Sequence, residues 1–191
     1  MRALRVDTIV RGGQVVTATD VFEAAVAIKG DKIAAIGAES LLPSADRVID
    51  ASGKYVLPGL IDCHLHIGAE YDDWRTAPLA AARTGLTTLL PFVVPDAGET
   101  LPRAIHRLRE EAESNSVLDF GFHFILEHEP AILAGIAEAV SLGVTSFKLF
   151  MTYKKRPKRM VSDEFIARTM ELLAPLGGIC QLHCENGDIL C

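Results

Sequence analysis

Along residues 1–57, apolar and polar positions alternate in short runs broken by tight turns, which is the period of strands. The runs 7–10, 14–17, 22–28, 32–36 and 47–50 predict strands, and Gly30-Asp31 falls between two of them. Glycine reaches positive φ without steric penalty and aspartate tolerates it, so 25–35 reads as a hairpin. From Tyr55 onward the rhythm changes. Apolar runs at 57–66, 86–94, 119–126, 144–151 and 178–183 alternate with amphipathic stretches near 73–84, 100–114, 131–142 and 162–176. Strands alternating with helices predict parallel β/α units. Gly85 and Gly143 stand where helices close, and Ser162 opens the last helix with Asp163 and Glu164 in its first turn. The expected organisation is a small β region over 1–57 followed by five β/α units over 58–191. Periodicity does not choose between an open doubly wound sheet and part of a barrel. No G-x-G-x-x-G or G-x-x-x-x-G-K-[ST] follows any strand, so nucleotide-binding forms of the open sheet have no support.

Composition narrows the function classes. The 191 residues are 49% hydrophobic and 23% charged, enough to bury a core. The net charge is −6, and the basic residues are scattered apart from the run 154–159, Lys-Lys-Arg-Pro-Lys-Arg. A nucleic-acid partner is therefore not expected. The run itself is read as a solvated loop in preference to a nuclear address or an anion patch. Residues 1–13 contain no apolar stretch long enough for a signal peptide, and no run is long enough to span a membrane. The expected location is cytoplasmic, with no membrane partner. Cys63, Cys180, Cys184 and Cys191 are too few and too unevenly spaced for a disulfide framework, in keeping with a reducing compartment.

Three segments carry candidate chemistry. Residues 58–66 read Pro-Gly-Leu-Ile-Asp-Cys-His-Leu-His and end the first strand of the second region. Alternation puts His64, His66 and Asp62 on one face, with Cys63 and Leu65 on the other. Two imidazoles so placed can grip one metal ion, or they can be buried histidines bonded to backbone or carboxylate. Residues 146–153 form an apolar strand with Lys148 in its middle, on the face of Ser146 and Phe150. Inside a barrel its ammonium would carry a desolvation penalty of several kcal/mol. The lysine is then neutral, paired or modified, for example as a carbamate bridging two cations; otherwise it snorkels out at the strand end. Residues 180–188 read Cys-Gln-Leu-His-Cys-Glu-Asn-Gly-Asp. A zinc knuckle of Cys180, His183 and Cys184 is disfavoured because alternation places His183 opposite the two cysteines. His183 is the expected ligand and the cysteines are expected to be small core residues. His106 and His128 are expected at the surface, and His123 as a bonded core histidine.

Together the segments P-G-x-I-D-x-H-x-H at 58–66, S-F-K-x-F-M-x-Y-K at 146–154 and H-x-E-N-G-D at 183–188 resemble the amidohydrolase superfamily, in its dihydropyrimidinase and hydantoinase branch. Asp119-Phe120-Gly121-Phe122-His123 adds to the likeness, which runs from about residue 6 to the end. The resemblance implies a (β/α)8 barrel, here about five of its eight strands, preceded by part of a small β-sandwich, with the site at the C-terminal strand ends. It implies that His64 and His66 bind the more buried of two divalent ions, that Lys148 carboxylated by CO2 bridges both, and that His183 binds the second. Zinc is the family's usual metal. Tyr153 matches the family's substrate-orienting tyrosine, which helps polarise the scissile carbonyl while a hydroxide held between the ions attacks it.

The sequence departs from the family in two places. The stretch 67–73 is several residues shorter than the corresponding pocket-lining loop and lacks its Phe-Gly-Gly run. The family also takes a histidine from the sixth strand and an aspartate, the acid/base, from the eighth, whereas this sequence stops just after the fifth. The expectation is a C–N hydrolase of a cyclic amide or imide, homo-oligomeric at full length and inactive as this stretch alone. The alternatives are an allantoinase-like enzyme and a non-catalytic scaffold of the same fold.

Overall fold

The computed structural model describes residues 5–68 and 72–190. Residues 69–71, the middle of the shortened stretch, lie outside the described residues, as do Arg2 and Cys191. The chain divides into two compact units, Met1–Pro58 and Gly59–Cys191.

The first unit is built from β1 (Arg5–Arg11), β2 (Gln14–Val16), β3 (Val21–Glu23), β4 (Ala25–Lys29), β5 (Lys32–Gly37), β6 (Ser44–Asp50) and β7 (Tyr55–Val56). They form a four-stranded sheet, ordered β5-β4-β1-β6, and a three-stranded sheet, ordered β3-β2-β7. The expected hairpin is present: β4 and β5 pair antiparallel around Gly30, whose φ is 59° and whose N–H donates to Asp7 at 2.6 Å. The expected single strand 22–28 is instead two, β3 and β4, in different sheets. Val21, Phe22 and Glu23 are exposed while Ala25, Val26 and Ala27 are buried, so the two halves answer to different surroundings. Val6, Ile9, Ala25 and Ala27 form the core of the larger sheet.

The second unit contains β8 (Leu60–His66), α1 (Ala77–Ala82), β9 (Leu86–Val93), α2 (Leu101–Asn115), β10 (Asp119–Phe120), β11 (His123–Ile125), α3 (Ile136–Ser141), β12 (Ser146–Phe150), α4 (Asp163–Leu173) and β13 (Ile179–His183). All sheet pairings are parallel, and the order across the sheet is β8, β9, the third strand, β12, β13. The third strand is in two pieces because Gly121 sits against β9: its N–H donates to Leu89 O at 3.0 Å, and a Cβ there would meet Leu90 Cδ2 at 2.9 Å. Phe147 and Leu149 of β12 point away from Lys148 into a core with Leu89, Phe124 and Leu126. Helix α2 covers that core with Leu101, Ala104, Ile105, Leu108 and Ala112, the i, i+3, i+4, i+7 stripe of an amphipathic helix.

Helix ends follow local chemistry. Ser162 Oγ accepts the Phe165 N–H at 3.2 Å and opens α4, and Gly177, at φ 68°, ends the 3₁₀ turn that follows it. Two expected helices are shorter than their patterns. Before α1, the Asp73 carboxylate accepts the N–H groups of Arg75 and Thr76, holding 73–76 as a turn. Within 131–142, Pro130–Gly135 is a 3₁₀ segment and only Ile136–Ser141 is α-helical. No helix among the described residues is long and apolar enough to cross a membrane.

Candidate active site

Strands β8, β12 and β13 end in His66, Phe150 and His183, so their C-terminal ends carry the candidate ligands. The pairing register fixes which side chains share a face. His66 lies beside Phe92, Lys148 beside Gln181, and Phe150 beside His183. Phe92 and Phe150 form an aromatic floor that joins the set. The Phe92 ring centroid is 5.0 Å from His64, 5.6 Å from His66 and 5.0 Å from His123. Lys148 Nζ lies 5.8 Å from the Phe92 centroid and 5.4 Å from that of Phe150. His183 and Tyr153 complete the row, their rings 5.6 Å apart and at 5.6 and 5.4 Å from Phe150.

Asp62 does not share the histidine face. A bulge lies between Asp62, opposite Leu89, and Leu65, opposite Pro91, so three steps on β8 match two on β9. Leu89 belongs to the core on the other side of the sheet, and Asp62 accepts the His64 N–H at 3.0 Å instead of joining the pair. The cysteine reading also needs correction. Strand β13 ends at His183, so alternation does not reach Cys184, which is exposed, as is Cys63. Among the described cysteines only Cys180 packs against the core, and that burial raises its thiol pKa. His123 is the bonded core histidine expected: it is buried and its Nδ1 is 3.3 Å from Gln181 Nε2, which also donates to Ser146 Oγ at 2.6 Å. His106 and His128 are exposed.

Burial, then His64, then Arg159 depress the His66 pKa; burial and His64 do the same to His123, against an opposing bond at Cys63. His66 is thus a neutral imidazole at neutral pH, the form that ligates metals. Among the described residues no three His, Cys, Asp or Glu side chains converge into a metal-holding group. The histidine pair and His183 occupy opposite ends of the row with Lys148 between them. In kind the donors fit a metal centre, since a carbamate on Lys148 would supply the oxygen atoms that the row lacks.

Tyr153 follows β12 with a backbone φ of 67°, the left-handed region that a non-glycine residue enters only when its surroundings hold it there. The Glu185–Asp188 segment supplies the hold. His183 Nε2 is 2.8 Å from Glu185, and Asn186 Oδ1 accepts the Asp188 N–H at 2.9 Å, turning the chain. Gly187 then donates to Met151 O at 2.8 Å, and a Cβ on it would meet Met151 O, Met160 Sδ and Thr152 Cα, each at 2.9 Å. Asp188 pairs with Lys154 at 2.6 Å. The H-x-E-N-G-D run is thus a brace for the tyrosine turn as well as the source of His183.

Sequence reasoning put Phe150 on the face of Lys148 but missed Phe92, and with it the aromatic floor, and the fate of the basic run. The run 154–159 is mostly exposed, as a solvated loop would be, yet it folds back on the site. The Arg156 guanidinium lies 5.2 Å from the Tyr153 ring centroid and that of Arg159 lies 5.5 Å from Phe150. A cleft of about 710 Å³ opens here, lined by His66, Phe92, Phe150, Tyr153, Arg156 and Arg159 among others. A larger cleft of about 1210 Å³ beside α2 holds none of the candidate ligands.

No protein-family model matches the sequence. Over 190 residues it is 37% identical to a D-hydantoinase of Geobacillus stearothermophilus, an alignment covering 95% of this chain and 40% of that relative. It is 32% identical over 190 residues to dihydropyrimidinase-related protein 5 of Homo sapiens, covering 95% of this chain and 33% of that one. The crystal structure of dihydropyrimidinase from Brevibacillus agri superposes with a TM-score of 0.86 at 38% identity, covering 96% of this chain and 41% of that one. The chain spans about 40% of the length of the D-hydantoinases it matches. By sequence and by fold, with its parallel half-barrel of five strands and two small sheets, the chain is a homologue of the hydantoinases and dihydropyrimidinases.

Proposed function

We propose that the protein hydrolyses a C–N bond in a cyclic amide or imide, a dihydropyrimidine or hydantoin, using two divalent metal ions held by His64, His66, Lys148 and His183, with Tyr153 on the substrate carbonyl. The observation that supports this most directly is the row of these five side chains along one aromatic floor at the C-terminal ends of parallel strands, where β/α barrels carry their chemistry. Bound ions would supply an acidified water, because coordination lowers its pKa to roughly 7. The chain's own residues do the rest. His66, kept neutral by burial, offers a lone pair without first losing a proton. Lys148 Nζ lies over the rings of Phe92 and Phe150, and its carbamate, formed from the amine and CO2 with loss of a proton, would depend on bound cations to offset the new negative charge. The Tyr153 hydroxyl donates to the ring carbonyl and stabilises the charge that develops on its oxygen. The proposed setting is cytoplasmic and the proposed assembly a homo-oligomer, with zinc as the metal.

The test is metal content together with turnover in the full-length protein. About two divalent ions per subunit are expected, as the two-ion centre of this proposal requires, with hydrolysis of hydantoin or dihydrouracil. His64→Ala and His66→Ala should each lower the metal content, and a Lys148 carbamate signal by carbon NMR should vanish on metal removal. Unchanged metal content in both histidine variants would overturn the ligand assignment.

A further inference from the structure

Among the described charged residues that line the cleft, Asp96, Arg107 and Arg159 are in ion pairs, whereas Arg156 and the exposed carboxylate Glu111 are not. In the basic run, Lys154 pairs with Asp188, Lys158 with Glu129, and Arg159 with Glu127 at 3.3 Å. On the opposite wall Arg107 is held by Glu99 at 2.7 Å and Asp96 at 3.3 Å. Lys155 is exposed and does not line the cleft. Arg156 does line it, and among the described residues it pairs with no carboxylate; its guanidinium rests on the face of Tyr153. Among the described residues no carboxylate occupies the N–H donors of that guanidinium, which are available to a ligand.

Arg156 is also held in place. Its N–H donates to Tyr153 O at 2.8 Å, and the Tyr153 turn is fixed by the Gly187–Asp188 brace. These bonds fix the backbone from which both side chains project, and the Tyr153 ring gives the Arg156 guanidinium a surface to rest on, so part of the ordering that a joint ligand requires is already in place.

We propose that Arg156 receives a carboxylate borne by the ring substrate, so that the site selects cyclic amides with a short acidic arm. This rests on the reading of the cleft as a ring-amide site and names the substrate class within it. The carbonyl of the ring lies at Tyr153 and the arm reaches past the tyrosine ring to a two-point bond with the guanidinium, stronger and more directional than a neutral contact. Arg159, paired with Glu127 through Nη2 at 3.3 Å, has part of its charge offset and contributes field.

Two paired measurements on the full-length protein separate this from the hydrolase reading. Calorimetry uses 3-oxocyclopentaneacetic acid and its amide, which carry a ring carbonyl and no scissile C–N bond. The acid is expected to bind about tenfold tighter at low salt, with the preference abolished in Arg156→Ala, partly kept in Arg156→Lys, and reduced as salt is raised. Equal binding of acid and amide, or a preference that survives Arg156→Ala, overturns the proposal. Turnover of hydantoin-5-acetic acid and its amide is measured separately. Acid-selective binding without hydrolysis of either would overturn the hydrolase reading and leave the carboxylate assignment in place; hydrolysis of both with no acid preference would do the reverse.

Discussion

Tyr153 carries a cost that its neighbours sustain. A tyrosine in the left-handed region is disfavoured by about 1–3 kcal/mol, and the Gly187 contact and the Lys154–Asp188 pair hold it there. If the hydroxyl stabilises charge on the substrate carbonyl, Tyr153→Phe in the full-length protein should lower kcat by about 10²-fold with an unchanged melting temperature. A loss under about threefold would remove the hydroxyl from the chemistry. At this scale the candidate ligands were legible, because histidine pairs and a lysine inside an apolar strand are conspicuous in any sequence. The positions of Asp62 and Cys184 were not, since strict alternation ignores both a bulge and a strand that ends one residue early. Arg156 was hidden for another reason: whether a basic side chain is neutralised depends on partners such as Glu127, Glu129 and Asp188, at distances along the chain that no local pattern encodes.

Among the elements, α2 shows how an ion pair can fasten a helix start. Glu99 lies just before the helix, its side chain 8% exposed, and receives Arg107 Nε and Nη2 at 3.0 and 2.7 Å. The Arg107 bond, aided by the Asp96 N–H, holds the Glu99 carboxyl below its ordinary pKa. A depressed carboxylate pKa contributes stability above the unfolded-state value, and that contribution is lost as pH falls through the lower folded value. Glu99→Gln should therefore cost about 1 kcal/mol in urea unfolding of the full-length protein at pH 7 and progressively less below pH ~4, the pair being discounted because Arg107 is partly solvated. A cost that is constant with pH would show that the pair contributes nothing. The extent of α2 was legible to within a residue at each end. The shortening of α1 and α3 was not, because Asp73 and the Pro130–Gly135 stretch offer the backbone competing local bonds that hydrophobic periodicity does not register.

For the whole molecule, the alternation of apolar and amphipathic runs showed the succession of parallel β/α units but not their order in a sheet, and the motifs chose a barrel over an open sheet where periodicity could not. Among the described residues the outer strands β8 and β13 each pair on one side only, and Leu60, Ile61 and Ile179 are 53%, 60% and 60% exposed. Unpaired strand edges flanked by apolar side chains template association. Residues 1–191 expressed by themselves should thus self-associate in light scattering, and a monodisperse monomer would contradict this. The same two strands carry the histidine pair and His183. Neighbouring strands lie about 4.8 Å apart, so four steps make an arc of roughly 19 Å, and only the bowing of the sheet shortens the chord across it. The span between the first and last candidate ligands is therefore governed by curvature, which Phe147, Leu149 and α2 control from the far side. A substitution there can detune the site without touching any residue in it.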